Sequence, residues 1–400
     1  MPMLFFTSGC WDYIEYENIA QVVGIGIDFN KKTQETTITQ QILVPVSSRG
    51  SQGAGPPSSK TGMIYSATDK TDYEALPKLQ QVMMKRLFYG YLRTLILGEE
   101  CAKYNFSNQI ELLDRTPPIR ETAYMVMCSG KAEKVLSTVE ENSATPSSQF
   151  ISSLVNNSKA TGAAFPVTLH NVSEMLAISG WEVTIPRVIS SAPEKTKLIA
   201  GGNADGVRID EKYKGGLRLS GMGAFKGNKF AGWLNEKETR GFGFITGKKM
   251  TAYKVSSKPA GTDPADILYF RLNKSGGKIK AKLVNNEPSI SVDVSVTAEL
   301  RKYYSGKGSD FLSPEEIKMV EQVLTNSIRS DIQAALTRGQ SDLQSDIFGF
   351  GFAFFRKYPG LWKSEYEKIW PDIYPDLPVQ VTVKVKVINT GTNIRKFIAR

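Results

Sequence analysis

Two stretches in the second half of the chain alternate strictly between apolar and polar residues. The first, SISVDVSVTAEL, places four branched residues on one face: Ile290, Val292, Val294 and Val296. The second, VQVTVKVKVIN, runs from Val379 to Asn389. A period of two residues is that of a β-strand with one face buried. Lys384 and Lys386 fall on the polar face of the second strand, which is typical of a sheet edge protected by lysines.

The first half of the chain mixes strand and helix patterns. QVVGIGIDF, TTITQQILV, YLRTLIL and ETAYMVMC are rich in apolar and β-branched residues, and they predict four strands. Apolar residues at helical spacing predict a helix over 72–88, with Pro77 in its first turn. Further polar helices are predicted within 129–158 and 168–178. The Gly/Pro/Ser-rich stretch at 47–62 predicts a flexible loop.

The second half begins with a predicted hairpin, LRLSGMGAFKGNKFAGWL, in which Gly-Asn forms the turn. Further strands are predicted near 251–257, 265–273, 277–284 and 289–301. The longest helix is predicted to start at Ser313, because Ser, then Pro, then Glu three residues on form a capping signal. Its apolar stripe predicts a core-facing or subunit-facing surface: Ile317, Val320, Val323, Leu324, Ile328, Ile332, Leu336 and Leu343.

Together these patterns predict an α+β, multi-domain chain with mixed or antiparallel sheets flanked by helices. A chain of 400 residues exceeds one comfortable core. The polar, Gly-rich stretch around SSAPEKTKLIAGGNADG marks the boundary. The predicted division is a short opening segment, an N-terminal α+β region of one or two subdomains, a linker and a C-terminal α+β domain, at 1–11, 12–195, 196–216 and 217–398.

Composition excludes several classes of protein. No window reaches the roughly 20 apolar residues that a membrane-spanning helix needs. Cys10, Cys101 and Cys128 form no C-x-x-C pair, and His170 is the single histidine, so no metal site is predicted. Buried free thiols are the expected state of Cys101 and Cys128, with a disulfide as the alternative.

The net charge of +10 is concentrated in one part of the chain. Between Gly206 and Lys282, 17 basic residues face 6 acidic ones. Such an excess suits nucleic acid or an anionic membrane surface. A solvated basic face with no ligand explains it equally well.

RGFGFITG, at 240–247, fits the first five positions of the RNP1 pattern of RNA-recognition motifs. In that interpretation Phe242 and Phe244 would stack on bases. Gly247 stands where an aromatic residue is expected, however, and the preceding NEKET indicates the start of a helix. RNA binding is therefore only the third hypothesis for this chain.

Other motifs for chemistry are weak. GMGAFKG spaces its glycines wrongly for a phosphate loop, and a strand with close backbone contacts explains Gly221 and Gly223 more simply. No G-x-S-x-G elbow is present, and His170 lies at a predicted helix start without a located nucleophile. No catalytic or cofactor-binding residue is assigned, and the chain is not predicted to be an enzyme.

Several segments, in order along the chain, resemble one family: the Ger(x)C lipoproteins, the C subunits of nutrient germinant receptors in endospore-forming bacteria. GCWDYIEYENIAQVVGIGID is similar to the family's opening, a lipobox cysteine followed by Trp-Asp, an acidic stretch and a V-x-x-x-G-I-D strand. Later segments resemble the family as well, among them a D-x-F-G-F-G motif: LFYGYLRTLILGEECA, GMGAFKGNKFAGWLNEKETRGFGFITG, SDIFGFGFAFFRKYPGLWK and VTVKVKVINTG.

The resemblance implies a non-enzymatic, lipid-anchored α+β protein of three domains, on the outer face of the spore inner membrane. After cleavage between Gly9 and Cys10, Cys10 would carry diacylglycerol and an acyl chain such as palmitate. Residues 1–11 would be the remnant of a lipoprotein signal peptide with its lipidation site. The implied partners are the A and B membrane subunits of a receptor that triggers ion release and germination. It implies no cofactor other than the lipid, and no nucleic acid.

Two alternatives remain open beside this interpretation. The runner-up is a solute-binding lipoprotein that captures a small nutrient. A mostly aromatic group is a candidate subunit interface, with core packing as its alternative: Trp233, Leu234, Phe348, Phe350, Phe352, Phe354, Phe355 and Trp362.

Overall fold

The structure is a computed structural model. It describes residues 15–43, 62–116, 119–138, 145–191, 216–257, 266–304 and 314–389. Cys10 lies outside the described residues, as do most of the predicted loop at 47–62 and of the predicted linker at 196–216.

Within the described residues, nine strands form the first sheet. Their bounds are β1 Ile19–Asn30, β2 Glu35–Leu43, β3 Gly62–Asp69, β4 Arg86–Phe88, β5 Thr94–Gly98, β6 Tyr124–Cys128, β7 Thr184–Ser191, β8 Gly216–Lys226 and β9 Lys229–Leu234. The order is β3-β2-β1-β5-β6-β7-β8-β9, and β4 pairs with β1. The middle of the sheet, from β1 to β7, is parallel, and both of its ends are antiparallel. Its central strands are buried on both faces, as parallel strands covered by helices are.

The second sheet has four strands in the described residues. They are β10 Ala252–Ser257, β11 Asp266–Val284, β12 Glu287–Tyr304 and β13 Val379–Asn389, in that order. The alternating residues of β12 are buried on one face, as predicted. In this sheet β13 pairs with β12 and lies at the edge, with Lys384 and Lys386 exposed. The predicted α+β class with mixed sheets is confirmed.

Eleven α-helices are described around these sheets. Their bounds are α1 Asp72–Gln81, α2 Glu99–Tyr104, α3 Phe106–Arg115, α4 Ala132–Ser137, α5 Ser147–Ser158, α6 Leu169–Ala177, α7 Glu236–Thr246, α8 Pro314–Leu336, α9 Phe350–Lys357, α10 Pro359–Leu361 and α11 Trp370–Ile373. The predicted stripe of α8 is confirmed for its central residues Leu324, Ile328 and Ile332, which are buried. Leu343, the last residue of the predicted stripe, lies beyond the end of the helix at Leu336. Ser313, its predicted cap, lies outside the described residues.

Helix α7 links the two sheets and has clear start and stop signals. Asn235 and Glu238 form a reciprocal capping box, which satisfies the first free backbone N–H groups. Gly247 ends the helix in the left-handed conformation, with φ of 73°. The helix packs on α8 and β11, and it follows directly from the β8–β9 hairpin. The predicted hairpin is confirmed, with Gly227 in its turn.

Two predicted elements are wrong. The helix predicted over 72–88 ends at Gln81, and Pro77 lies inside it rather than in its first turn. The side chain of Gln80 bonds the backbone of Lys85 and Leu87, which directs the chain into β4. The two strands predicted at 265–273 and 277–284 are one strand, β11, because Gly277 admits the end of helix α7 without breaking the strand.

The predicted boundary at 196–216 separates strands that are neighbours in one sheet. β7 and β8, on either side of it, pair antiparallel over Thr184 to Ser191. The hairpin that starts the second half therefore completes the first sheet. The division into domains, and the three domains that the resemblance implies, stay predictions.

Candidate functional site

The residues singled out for chemistry do not gather into a reactive cluster. His170 is exposed on α6, with its Nδ1 3.0 Å from Oε2 of Glu121. Cys101 and Cys128 are buried thiols that form no disulfide within the described residues, as predicted, and burial raises the pKa of the Cys128 thiol. In the part of the chain that the structure describes, no group of three or more His, Cys, Asp or Glu side chains could hold a metal ion.

The RNP1 interpretation of RGFGFITG is wrong. Its residues lie in α7 and its C-cap rather than in a strand, and Phe242 and Phe244 are 3% and 0% exposed. Arg240 donates from Nε to Oδ2 of the buried Asp331 at 2.8 Å, and Tyr253 donates to the same oxygen. Neither the rings nor the guanidinium is free to contact bases.

The predicted aromatic group is mainly core. Leu234, Phe348, Phe350, Phe354 and Trp362 are buried. Phe352 and Phe355 are half-buried, and so is Trp233. Core packing is therefore the better interpretation of most of this group, and Phe352 lines a cleft described below.

Asp28, at the end of the G-I-D stretch in β1, holds the start of helix α4. Its Oδ1 accepts the N–H of Ala132 at 2.7 Å, and its Oδ2 accepts that of Glu133 at 3.0 Å. Burial raises the pKa of this carboxyl group, while the two N–H donors act in the opposite direction. The carboxylate complements the positive end of a helix, which is a structural role.

Asp346, the first residue of the D-x-F-G-F-G stretch, plays the same part for α9. Its Oδ1 accepts the N–H of Phe350 at 2.9 Å, and its Oδ2 accepts Gly351 N–H at 2.7 Å and Trp370 Nε1–H at 2.9 Å. Burial, together with the nearby charge of Glu182, raises the pKa of Asp346 to about 7 against the effect of these three donors. A proton on this group is therefore exchanged near neutral pH.

The segment around Asp346 also joins the two halves of the chain. The carbonyl of Asp346 accepts the N–H of Glu182 at 3.0 Å, and the carbonyl of Gly180 accepts the N–H of Phe352 at 2.9 Å. Ser345 donates its hydroxyl to the carbonyl of Phe225 in β8. The loop before β7, strand β8 and helix α9 are thus bonded together.

One large cleft, of about 880 Å³, opens where these elements meet. Its walls come from α6, β7, β8, α7, β11 and α9. Buried rings line the floor, with Phe165, Phe242 and Phe348 spaced about 6 Å apart between ring centroids, at 6.0 and 6.1 Å. Trp181 stacks on Phe352 at 5.7 Å along one wall.

The rim of the cleft is cationic. Six basic side chains line it against one acidic residue, Glu174; the basic residues are Lys248, Lys278, Lys280, Lys282, Arg356 and Lys357. All six are exposed. Lys280 pairs with Asp293 at 2.6 Å, and Lys357 donates to the carbonyl of Ala281 at 2.8 Å. The cleft therefore combines an apolar floor with a positive rim.

The exposed face of the second sheet continues this positive surface. The strand register places Lys278, Lys280 and Lys282 of β11 on the same face as Lys384 and Lys386 of β13. Asp293 lies among them, and its hydrogen bond with Lys280 lowers its pKa. We call these five lysines the lysine face.

Sequence reasoning missed the role of Asp28, the role of Asp346 and the cleft. A signal for the two aspartates was present, since each is a residue of a motif through which the chain resembles its family. The motif does not reveal their roles, because the partners of Asp28, Ala132 and Glu133, lie more than 100 positions away in the sequence. The cleft had no signal, because its lining comes from six separate elements.

Fold and site together define an α+β protein of two sheets joined at a cleft, with buried carboxylates that cap helices. None of the described helices is long and apolar enough to cross a membrane. Two family models match the chain: the spore germination protein N-terminal domain at residues 12–190, and the C-terminal domain described as spore germination B3/GerAC like at 220–391. The chain belongs to the Ger(x)C family of spore germination proteins.

Relatives match over nearly the whole chain. Spore germination protein KC of Bacillus subtilis strain 168 is 24% identical over 96% of this chain and 92% of its own length. Spore germination protein A3 of the same organism is 23% identical over 96% and 95%. The crystal structure of the GerBC protein covers 92% of this chain and 97% of its own, with a TM-score of 0.55 and 16% identity, which supports the fold.

Proposed function

We propose that the chain is a non-enzymatic, lipid-anchored subunit of a nutrient germinant receptor, acting through assembly with membrane A and B subunits. The observation that carries the proposal is the family match, which extends in order from residue 12 to residue 391. The place of action would be the outer face of the spore inner membrane. The role is to assemble and position a receptor rather than to catalyse a reaction.

A lipid on Cys10 would hold the protein close to the bilayer. Two or three acyl chains on one cysteine, at about 0.8 kcal/mol per buried methylene, give firm anchoring. Cys10 lies nine positions before Ile19, the first residue of strand β1. The first sheet would then lie next to the headgroups and within reach of membrane subunits.

The lysine face supports an orientation toward anionic lipid. Each Lys or Arg near an anionic surface adds on the order of 1 kcal/mol to binding. The unlipidated protein should therefore bind vesicles more tightly as their phosphatidylglycerol content rises, and a Lys384→Gln/Lys386→Gln variant should bind less tightly. Binding that is indifferent to anionic lipid would remove the orientation from the proposal.

The structural partners of the polar side chains support a function without catalysis. Asp28 and Asp346 accept backbone N–H groups, and Asp331 accepts from Arg240 and Tyr253. His170 is exposed, with a glutamate as its partner. Each of these groups has a structural partner that accounts for it.

Deleting the gene tests the proposal. Spores should lose the response to particular nutrients and keep the response to a trigger that does not use receptors. Complementation with the wild-type gene should restore the response, and a Cys10→Ala gene should restore it poorly and leave the protein in the soluble fraction. Normal germination on every nutrient in a strain without related receptors would contradict the proposal.

A further inference from the structure

The cleft between the two sheets has the shape of a binding site. Its volume of about 880 Å³ lies within the range of roughly 300–1,000 Å³ that small-molecule sites occupy, and junctions between structural units are frequent places for them. Its floor includes the buried side chains of Met175 and Met222 beside the rings. Methionine side chains adapt to irregular ligand shapes. The interior is therefore suited to an apolar molecular body.

The charges around the cleft indicate that a ligand with an apolar body would also carry an anionic group. Within the described residues, Lys248, Lys278 and Arg356 have no carboxylate within 4.0 Å, unlike Lys280, which pairs with Asp293. Arg356 lies over the ring of Phe352, with its Cζ 5.8 Å from the centroid, so it lies directly above the apolar wall. An anionic group at the rim would give these cations partners.

Lys248 is exposed at the rim, but the surrounding protein removes part of the water around its ammonium group. This partial desolvation lowers the pKa of the group, and Glu174 acts against it as the nearby negative charge. A charge that is partly desolvated gains more from a counter-ion than one in open water. An acid bound at the rim would therefore be held more tightly than by a lysine on a flat surface.

We propose that this cleft binds a small amphipathic anion, an acid whose apolar body lies on the ring-lined floor and whose carboxylate contacts the cationic rim. The site goes beyond the proposed receptor function, which requires no ligand on this subunit. It would give the assembled protein a ligand-dependent link between its two sheets, because the bound molecule would contact α7, β11 and α9 together.

Isothermal titration calorimetry of the purified full chain with laurate, below its micelle concentration, tests the proposal. The native chain should bind laurate saturably at one site, and should not bind dodecylamine, which has the same chain length and the opposite charge. Saturable binding of both molecules with equal affinity, or of neither, would overturn the proposal.

Two variants locate the site. Lys248→Gln/Arg356→Gln should weaken laurate binding on the order of tenfold, because two charge-assisted contacts are lost. Ala353→Phe, on the half-buried wall of α9, should abolish binding by filling the cleft. The matched control is Lys384→Gln/Lys386→Gln, which removes the same charge from the lysine face outside the cleft and should leave laurate affinity unchanged.

Thermal melting shows whether a variant loses binding because it is unfolded. The rim variant changes only exposed side chains, so it should melt within a few degrees of the native chain. If the control weakens binding as much as the rim variant, attraction by general surface charge explains the result and the proposal fails. Vesicles of phosphatidylglycerol, added as competitors, identify the source of the anion. Displacement of laurate assigns the cleft to a membrane lipid, and its absence assigns the cleft to a free acid; both outcomes keep the site.

Discussion

Asp28 and Asp346 perform one task in two regions of the molecule. Each is a buried aspartate that accepts the first backbone N–H groups of a helix. Asp28 reaches α4 from strand β1, more than 100 positions earlier in the chain, whereas Asp346 lies in the turn directly before α9. The region around Asp346 is the more enclosed of the two. A third donor, the indole of Trp370, reaches Asp346, whereas the nearby charge of Lys131 favours the ionised form of Asp28.

The difference shows how enclosure decides what a capping carboxylate contributes. At Asp28 the charge of Lys131 offsets part of the cost of burying a carboxylate, while the charge of Glu133 acts in the opposite direction more weakly. At Asp346 three donors do not offset that cost, and the nearby Glu182 adds repulsion. The group is therefore both more heavily bonded and more sensitive to protonation. Because its segment joins the halves of the chain, we expect changes there to have larger effects.

Asp346→Ala should have the largest effect. It leaves three buried N–H donors without an acceptor, at about 1–3 kcal/mol for each unsatisfied group. We expect the free energy of unfolding to fall by about 4 kcal/mol, measured by urea denaturation at pH 6. A loss below about 1 kcal/mol would show that water or another group replaces the carboxylate.

Asp28→Ala should cost less, about 2 to 3 kcal/mol, because two donors lose their acceptor instead of three. The same urea experiment measures it, and Asp114→Ala is the control, since Asp114 is exposed and accepts the hydroxyl of Ser173 at the surface. If Asp28→Ala destabilises the protein more than Asp346→Ala does, the ranking by enclosure is incorrect.

The dependence of stability on pH should separate the two aspartates. The pKa of Asp346 rises from its ordinary value of 3.8 to about 7 on folding, so the folded state binds more protons between these values. The stability that protonation supplies is complete below pH 4 and is lost as the pH rises through 7. Between pH 5 and 7 this loss should reach about 2 kcal/mol.

Asp346→Asn should remove that slope, although its lower acceptor capacity makes it less stable than the native chain at pH 5. Asp28→Asn should remove a smaller part of the slope. The measurement is the urea midpoint of each protein at several pH values, and equal slopes for the native chain and Asp346→Asn would refute the assignment.

Alanine substitutions of the motif glycines Gly351 and Gly26 should show the smallest difference in stability between the two regions. A Cβ on Gly351 would lie 2.6 Å from Nε1 of Trp370 and 2.7 Å from the backbone Cα of Gly180, which cannot yield easily. A Cβ on Gly26 would lie 3.0 and 3.1 Å from side-chain carbons of Leu136 and Ala132, and its nearest backbone atom, the carbonyl carbon of Ala132, would lie at an ordinary contact distance of 3.4 Å. Gly351→Ala should therefore cost about 2 kcal/mol and Gly26→Ala about 1 kcal/mol or less. Differential scanning calorimetry of both variants checks the order.

Sequence patterns correctly predicted those elements whose buried face is set by residues within the same strand or helix. The alternation in β12 and the stripe of α8 each fix a buried face through neighbours within the same element. Pro77 shows the limit: a proline inside a helix removes one hydrogen bond, but Ala75 and Leu79, buried on the same helix, keep it intact. The break predicted in β11 failed for a related reason, since Gly277 admits the C-terminal turn of α7.

The site was beyond the reach of such patterns. Asp346 acquires its partners from a tryptophan 24 positions later and from the neighbourhood of Gly180, and the cleft collects residues from both halves of the chain. Composition did indicate the basic second half, and the strand register shows how its lysines gather on one face. The resemblance to a family drew attention to the motifs that contain Asp28 and Asp346, but the roles of these residues became clear only from the fold.

Mass spectrometry of the N-terminal peptide, from native protein extracted from spore membranes with detergent, tests the central claim most directly. The account predicts a peptide that begins at Cys10 and carries diacylglycerol, which identifies the chain as a processed lipoprotein held at the membrane. A peptide that begins at Met1 or Pro2, with a free thiol on Cys10, would contradict the anchor and with it the placement of the chain in a membrane receptor.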